Sequence, residues 1–143
     1  MEHRQLVQAI EETKEILKQP RPDVGSESSH GWGVSIARQL TQLHDHVSSH
    51  FRSEEQSEFL EDLSPKRPHV ARSIEMLQQD HGRILGDLQA IREAAVFYAE
   101  GKEPDEPQLR RRTLAVLERI AHHEHAETEL LQRALYEDRG NAD

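Results

Sequence analysis

Two motifs of one form, His50-x-x-x-Glu54 and His123-x-x-x-Glu127, hold the residues whose types and spacing could do chemistry in this sequence. A spacing of four places both side chains on one face of a helix, one turn apart. Each motif falls on an apolar stripe, where a carboxylate beside an imidazole is costly to bury unless something pairs with them. His81 interrupts a third apolar stripe, and His3 stands at the head of a fourth. Neutral imidazole and carboxylate are ligands for iron, zinc or manganese, so a bound metal centre is the simplest account of the set.

The elements that must position these residues are helices. The first is expected over residues 2–18, with His3, Leu6, Ile10 and Leu17 near one face, and is ended by Gln19-Pro20-Arg21-Pro22. A loop rich in Gly, Ser and Pro follows, over residues 20–31. The second helix is expected over 32–60, where Ile36, Leu40, Leu43, Val47, His50 and Glu54 step by alternating fours and threes. After the breaker DLSPKRP, the third runs over 67–100 with the stripe Val70, Ile74, Leu77, His81, Ile84, Leu88, Ile91 and Ala95, and it stops at Gly101. The fourth runs over 105–138, with Asp105 as N-cap and Gln108 three residues on. Its stripe is Val116, Ile120, His123, Glu127, Leu130 and Ala134.

Four such helices with short connections predict an all-α fold, one up-down-up-down four-helix bundle spanning residues 1–143. Inward side chains from facing helices then converge on a common axial point. His3, His50, His81 and His123 could supply one nitrogen from each helix, and Glu54 and Glu127 two bridging carboxylates. Two metals about 3.5 Å apart would each receive two histidines and one oxygen from each glutamate. A bridging oxygen would still leave a position on each for a small molecule such as dioxygen.

The bulk numbers agree with a bundle and narrow the function. Of 143 residues, 34% are hydrophobic and 4% aromatic while 31% are charged, which suits narrow apolar stripes better than a sandwich or barrel. A formal net charge of −9 argues against general nucleic-acid binding and against attraction to anionic lipid. The absence of cysteine excludes thiolate zinc sites, iron–sulfur clusters and disulfides. The first residues, MEHRQLVQAIEETKEIL, are amphipathic rather than signal-like, and no apolar run reaches membrane-spanning length. A cytoplasmic protein is the expectation.

The segments EHRQL, HFRSEE, QQDHGRIL and HHEHAETELL, one in each helix, make the chain similar to the hemerythrin-like, or HHE cation-binding, family. The resemblance covers nearly the whole sequence. It implies a four-helix bundle around a non-haem di-iron centre with an oxo or hydroxo bridge. Carried over position by position, its ligands are His3, His50, Glu54, His81, His123 and Glu127. The roles it implies are binding, storing or sensing dioxygen or a related small oxidant, or sensing iron, with a protein partner where the output is a signal. Oxygen-carrying hemerythrins have a further histidine one turn after the one in the third helix. Leu85 stands there instead, which speaks against reversible oxygen carriage. Ferritin-like di-iron bundles use Glu-x-x-His; with no such motif at the candidate ligands, a ferroxidase of that type is not expected.

Two rival readings remain open at this stage: a di-iron enzyme reducing peroxide, oxygen or nitric oxide, and a metal-free or zinc-bound helical interaction module. No phosphate loop, dinucleotide fingerprint or nucleophile–base arrangement is present. His44, at the edge of the second stripe, or water is the substitute if His3 is not a ligand. His30, His46, His69 and His125 are expected in loops or on the surface, and Trp32 at one end of the bundle. Gly82 and Gly86 inside the third helix mark a close helix approach, space beside the metal for a ligand to enter, or merely exposed positions. The acidic run at Glu54-Glu55 is expected to be mostly solvated surface.

Overall fold

The computed structural model describes residues 2–19, 27–56 and 68–141. Among the described residues there are four helices and no strand: α1 (Glu2–Leu17), α2 (Glu27–Glu55), α3 (Pro68–Ala99) and α4 (Glu106–Asn141). Successive helices pack on one another. The apolar stripes on α2, α3 and α4 point inward as the spacing predicts, and Ile36, Leu40, Leu43, Val47, Ile84, Leu88 and Ile120 are fully buried.

The helix ends follow local chemistry. The Asp105 carboxylate accepts from the Gln108 backbone amide at 2.8 Å, and the Gln108 side chain reaches back to the Asp105 amide at 3.4 Å, a reciprocal cap that starts α4. At the end of α3, Gly101 takes φ +81°. Its amide donates to the Tyr98 carbonyl at 2.9 Å, and the Lys102 amide donates to Phe97 at 2.9 Å. That pairing satisfies two carbonyls which the helix end would otherwise orphan.

Two expectations need correction. The second helix begins at Glu27, inside the stretch read as a loop, while residues 57–60 of its expected span lie outside the described residues. The reason is tertiary. The Ser29 hydroxyl lies 2.6 Å from that of Tyr98, His30 Nδ1 donates to the Ala99 carbonyl at 2.7 Å, and the Trp32 ring meets Tyr98 edge-on. These contacts outweigh the breaking tendency of a Ser/Gly-rich sequence. The extension also places a Glu-x-x-His spacing, Glu27 to His30, on a helix. It lies twenty residues, or about 30 Å along the helix axis, from His50 and is a helix-pairing contact.

The second correction concerns α1. Its buried residues are Leu6, Ala9 and Thr13, with Ile10 and Leu17 only half-buried and His3 exposed. Small and polar residues carry this face because they are satisfied locally. Thr13 donates to the Ala9 carbonyl at 2.7 Å, and Gln39 of α2 donates to that same carbonyl at 3.1 Å. For the two glycines inside α3, the exposed reading is the one that holds. Nothing lies within 4 Å of where a Cβ would stand on Gly82 or Gly86, so these are open positions. The close approach is at Gly33, where a Cβ would sit 2.9 Å from the Ala99 backbone.

The expected end position of Trp32 is met: it is buried against Tyr98, with the Arg110 guanidinium 4.5 Å over its ring. The core divides in two. A large cluster includes Leu40, Val47, Phe51, Ile84, Leu88 and Ile120, and a small one holds Val70, Ile74, Leu130 and Ala134. Between Leu77 and Ile84 on α3, and between Ile120 and Leu130 on α4, the stripe residues are His81, His123 and Glu127. The candidate ligands thus form a polar layer between two apolar ones. No helix among the described residues is long and apolar enough to cross a membrane.

Candidate metal centre

Each stripe position carrying a histidine or glutamate delivers it to the same layer. His50 and Glu54 come from the last turns of α2, His81 from the middle of α3, and His123 and Glu127 from α4. Within each H-x-x-x-E pair the side chains touch: His50 Nε2 is 2.6 Å from Glu54 Oε1, and His123 Nε2 is 2.5 Å from Glu127 Oε1. His81 Nε2 points between the two glutamates, 3.4 Å from Glu54 and 3.6 Å from Glu127.

The potential ligand atoms fall into overlapping groups, each spanning no more than 4.8 Å. Glu54, His81, His123 and Glu127 form an inner group. His3, His50 and Glu124 form an outer one, and a third, His50, Glu54, Glu124 and Glu127, joins them. All six residues singled out in the sequence are therefore in this cluster. His44 and the other histidines are in none of these groups. His44 is half-buried beside Asp45, His46 is half-buried on α2, and His30, His69, His122 and His125 are exposed.

Three acidic residues escaped the sequence reading. Glu124 accepts from His50 Nε2 at 3.0 Å. Asp80 accepts from His123 Nδ1 at 2.9 Å, and Glu55, expected to be a surface residue, accepts from His81 Nδ1 at 2.9 Å. For Glu124 a signal existed: it stands three residues before Glu127 and so shares a helix face with it. For Asp80 and Glu55 there was none, because each serves a histidine on another helix.

The donor set meets a direct test of fit to a metal ion. The Nε2 atoms of His81 and His123, and Glu127 Oε1, are buried and crowded together at 2.5–3.6 Å, yet none of them makes a well-directed hydrogen bond. Such orphans are costly in an interior of low polarity. Both histidines donate Nδ1–H to a carboxylate, which orients the ring so that Nε2 faces the layer and can bind an ion once it gives up its proton. Metal-ligating histidines are held in this way. The Phe51 ring stacks on His81 at 3.9 Å and 8°, and meets His123 at 5.1 Å, closing the apolar side of the layer. These residues could hold a metal ion.

Without a metal, protons must offset the negative charge. The Glu124 and Glu54 carboxylates push His50 up to about 10 against the opposing effect of burial. Burial works to lower His81, but Glu127, Glu54 and Glu55 outweigh it and push it up to about 10. Burial likewise opposes the net rise of His123, which Glu127 and Asp80 produce. Burial works to raise Glu54, yet hydrogen bonding with His50 and His81 holds it down to about 2.

The sign of the linkage follows. A histidine raised from 6.5 to about 10 stabilises the fold fully below pH 6.5, and that stabilisation is lost as the pH rises toward 10. Glu54 contributes above 4.5 and loses its contribution as the pH falls toward 2. Chelator-treated protein should therefore melt at a lower temperature at about pH 8.5 than at about pH 6. Metal uptake displaces these protons, so loading strengthens with pH. Melting curves with and without added metal should show the gap widening from about pH 6 to about pH 8.5. A gap that is constant or narrows would show that protons and metal do not share this layer.

No protein-family model, curated protein or solved structure matches this chain.

Proposed function

We propose that this chain is a non-haem dinuclear metal protein of hemerythrin-like architecture, with iron as its metal, that binds or senses dioxygen or a related small oxidant. One observation carries the reading: the buried Nε2 atoms of His81 and His123, whose rings are oriented by Glu55 and Asp80, converge on glutamates that also belong to a second ligand group with His50 and Glu124. A mixed set of imidazole nitrogens and carboxylate oxygens suits iron, and zinc and manganese are its competitors. An up-down-up-down course is supported by the residues that meet: Gln39 with Ala9 and Trp32 with Ile16 for α1 and α2, Ser29 with Tyr98 and Glu55 with His81 for α2 and α3, and Asp80 with His123 and Asp87 with Arg119 for α3 and α4. A cytoplasmic setting belongs to the same reading, since reducing pools there can return oxidised iron to its reduced state.

When bound, a pair of irons supplies one-electron redox chemistry and open positions for a small oxidant. The protein's share is to hold and shield. Glu54 and Glu127 would be the shared ligands, His81 and His123 the nitrogens on one side, and His50 and His3 those on the other. Asp80 and Glu55 orient two of the rings. Phe51, Val47, Ile84 and Ile120 keep water from the inner side, and Ile74 and Leu130 close the other. Leu85 is half-buried against the large core, so no ligand replaces the absent histidine at that position.

Metal content by elemental analysis, paired with an aerobic absorption spectrum, tests the reading. The expected result is about two irons per chain, with near-ultraviolet oxo-bridge bands lost in His50→Ala and His123→Ala. Little metal after anaerobic iron loading, with the helical fold intact, would sink it and leave a helical interaction module.

A further inference from the structure

The inner group shares Glu54 and Glu127 with the joining group, which in turn shares His50 and Glu124 with the outer one, and the inner and outer ends of this chain of ligands are unequally built. In the inner group the side chains of His123 and His81 are 0% and 5% exposed, and each is anchored at Nδ1 by a carboxylate. In the outer group His3 is exposed on the first turn of α1 and makes no hydrogen bond among the described residues; its ring lies 5.8 Å from that of His50. His50 has no carboxylate anchor on Nδ1 among the described residues, and its Nε2 is already engaged by Glu54 and Glu124. On the outer side there is also more oxygen around His50: in the joining group it stands alone among three carboxylates, Glu54, Glu124 and Glu127, whereas the inner group balances two imidazoles against two carboxylates.

We propose that the inner group retains its ion, while the outer group, completed by Glu124, is an exchangeable site for a divalent cation. This rests on the dinuclear reading above and extends it with a ligand and a division of labour. A cation entering the outer position must draw Glu124 and Glu54 away from His50 and order the first turn of α1 through His3. Both steps oppose binding. At the inner position the nitrogens are pre-oriented by Glu55 and Asp80 and already buried beside the carboxylates that would share the ion. The oxygen-rich outer set also accepts harder cations such as Mn2+ alongside Fe2+, whereas the inner imidazole pair favours iron or zinc. Occupancy of the outer position then follows the supply of free cation, and His3 couples that occupancy to the seating of α1.

Calorimetric titration of the chelator-stripped, full-length protein with Zn2+ tests this, followed by dialysis and elemental analysis. Two uptake steps at least about tenfold apart in affinity are expected, with about one zinc per chain retained on dialysis. Glu124→Gln and His3→Ala should each weaken only the second step, by about 10–100-fold, and leave the retained ion in place. His123→Ala should lose the retained ion. Both substitutions in the outer group are mild, one nearly isosteric and one on an exposed turn, so the fold is preserved. Two ions of equal affinity would overturn the proposal and leave the dinuclear centre standing, as would a Glu124→Gln variant that weakens both steps alike or neither. A single step unaffected by Glu124→Gln would reduce the site to one inner ion. No uptake by the unaltered protein would overturn the dinuclear reading itself.

Discussion

The double variant Glu54→Gln, Glu127→Gln is expected to lose its bound metal and, with it, the stabilisation that metal provides. Both glutamates belong to the inner group and to the group that joins it to His50 and Glu124, so the pair of substitutions removes two carboxylates from each. Glutamine keeps the size and the hydrogen-bonding capacity but not the charge. For the unaltered protein, metal at about a thousandfold above its dissociation constant stabilises the fold by about 4 kcal/mol per site. In a chain of this size that raises the melting temperature by about 8–16 °C. Addition of metal should therefore shift the unaltered protein by at least that amount and leave the double variant where it was. An interaction module that holds no metal would show no shift in either protein. Equal shifts in both would place the metal elsewhere.

What the sequence discloses about this site has a physical basis. On α2, α3 and α4 the inward positions are large and apolar, so an imidazole or a carboxylate in the series stands out as an exception that needs a reason. His50, Glu54, His81, His123 and Glu127 were found that way, and all five are buried or half-buried. On α1 the same logic misplaces the face. Ala9 and Thr13 occupy the buried positions while the bulkier Ile10 is only partly covered, because the Gln39 side chain meets the Ala9 carbonyl and the Thr13 hydroxyl there. His3 continues that stripe in register, yet its turn lies at the open end of the cluster and stays exposed.

The supporting carboxylates were illegible for a different reason. Asp80 is the chain neighbour of His81 but anchors His123, and Glu55 is the chain neighbour of Glu54 but anchors His81. Only the placement of α2 against α3, and of α3 against α4, assigns each acid to its histidine. Composition alone reads them as ordinary charged surface. The early start of α2 is a case of the same kind, since Gly33 is a local breaker that becomes an asset where the Ala99 backbone approaches.

Phe51→Ala is expected to damage both the fold and the metal centre. Phe51 is 1% exposed and belongs to the large core cluster, so truncation leaves a cavity and costs about 3–5 kcal/mol. That lowers the melting temperature by about 6–20 °C. The ring is also the wall of the polar layer. It lies flat on His81, edge-on to His123 and 6.1 Å from His50, touching the imidazole of three ligand positions. Its loss lets water reach the buried Nε2 atoms and frees the His81 ring to turn, and a fall in metal affinity of about 10–100-fold is expected, as for other groups that orient ligands. Leu40→Ala separates the two effects. Leu40 is fully buried in the same cluster but lies ten residues from His50 along α2, about 15 Å of helix. Its truncation should cost about 2–5 kcal/mol while metal affinity, measured below the melting transition, stays unchanged. Equal affinities in the Phe51→Ala and Leu40→Ala variants would make Phe51 a filler of the core and nothing more. A loss confined to Phe51→Ala would show that the apolar wall and the ligands work as one unit, with the stacked ring holding His81 ready for the ion.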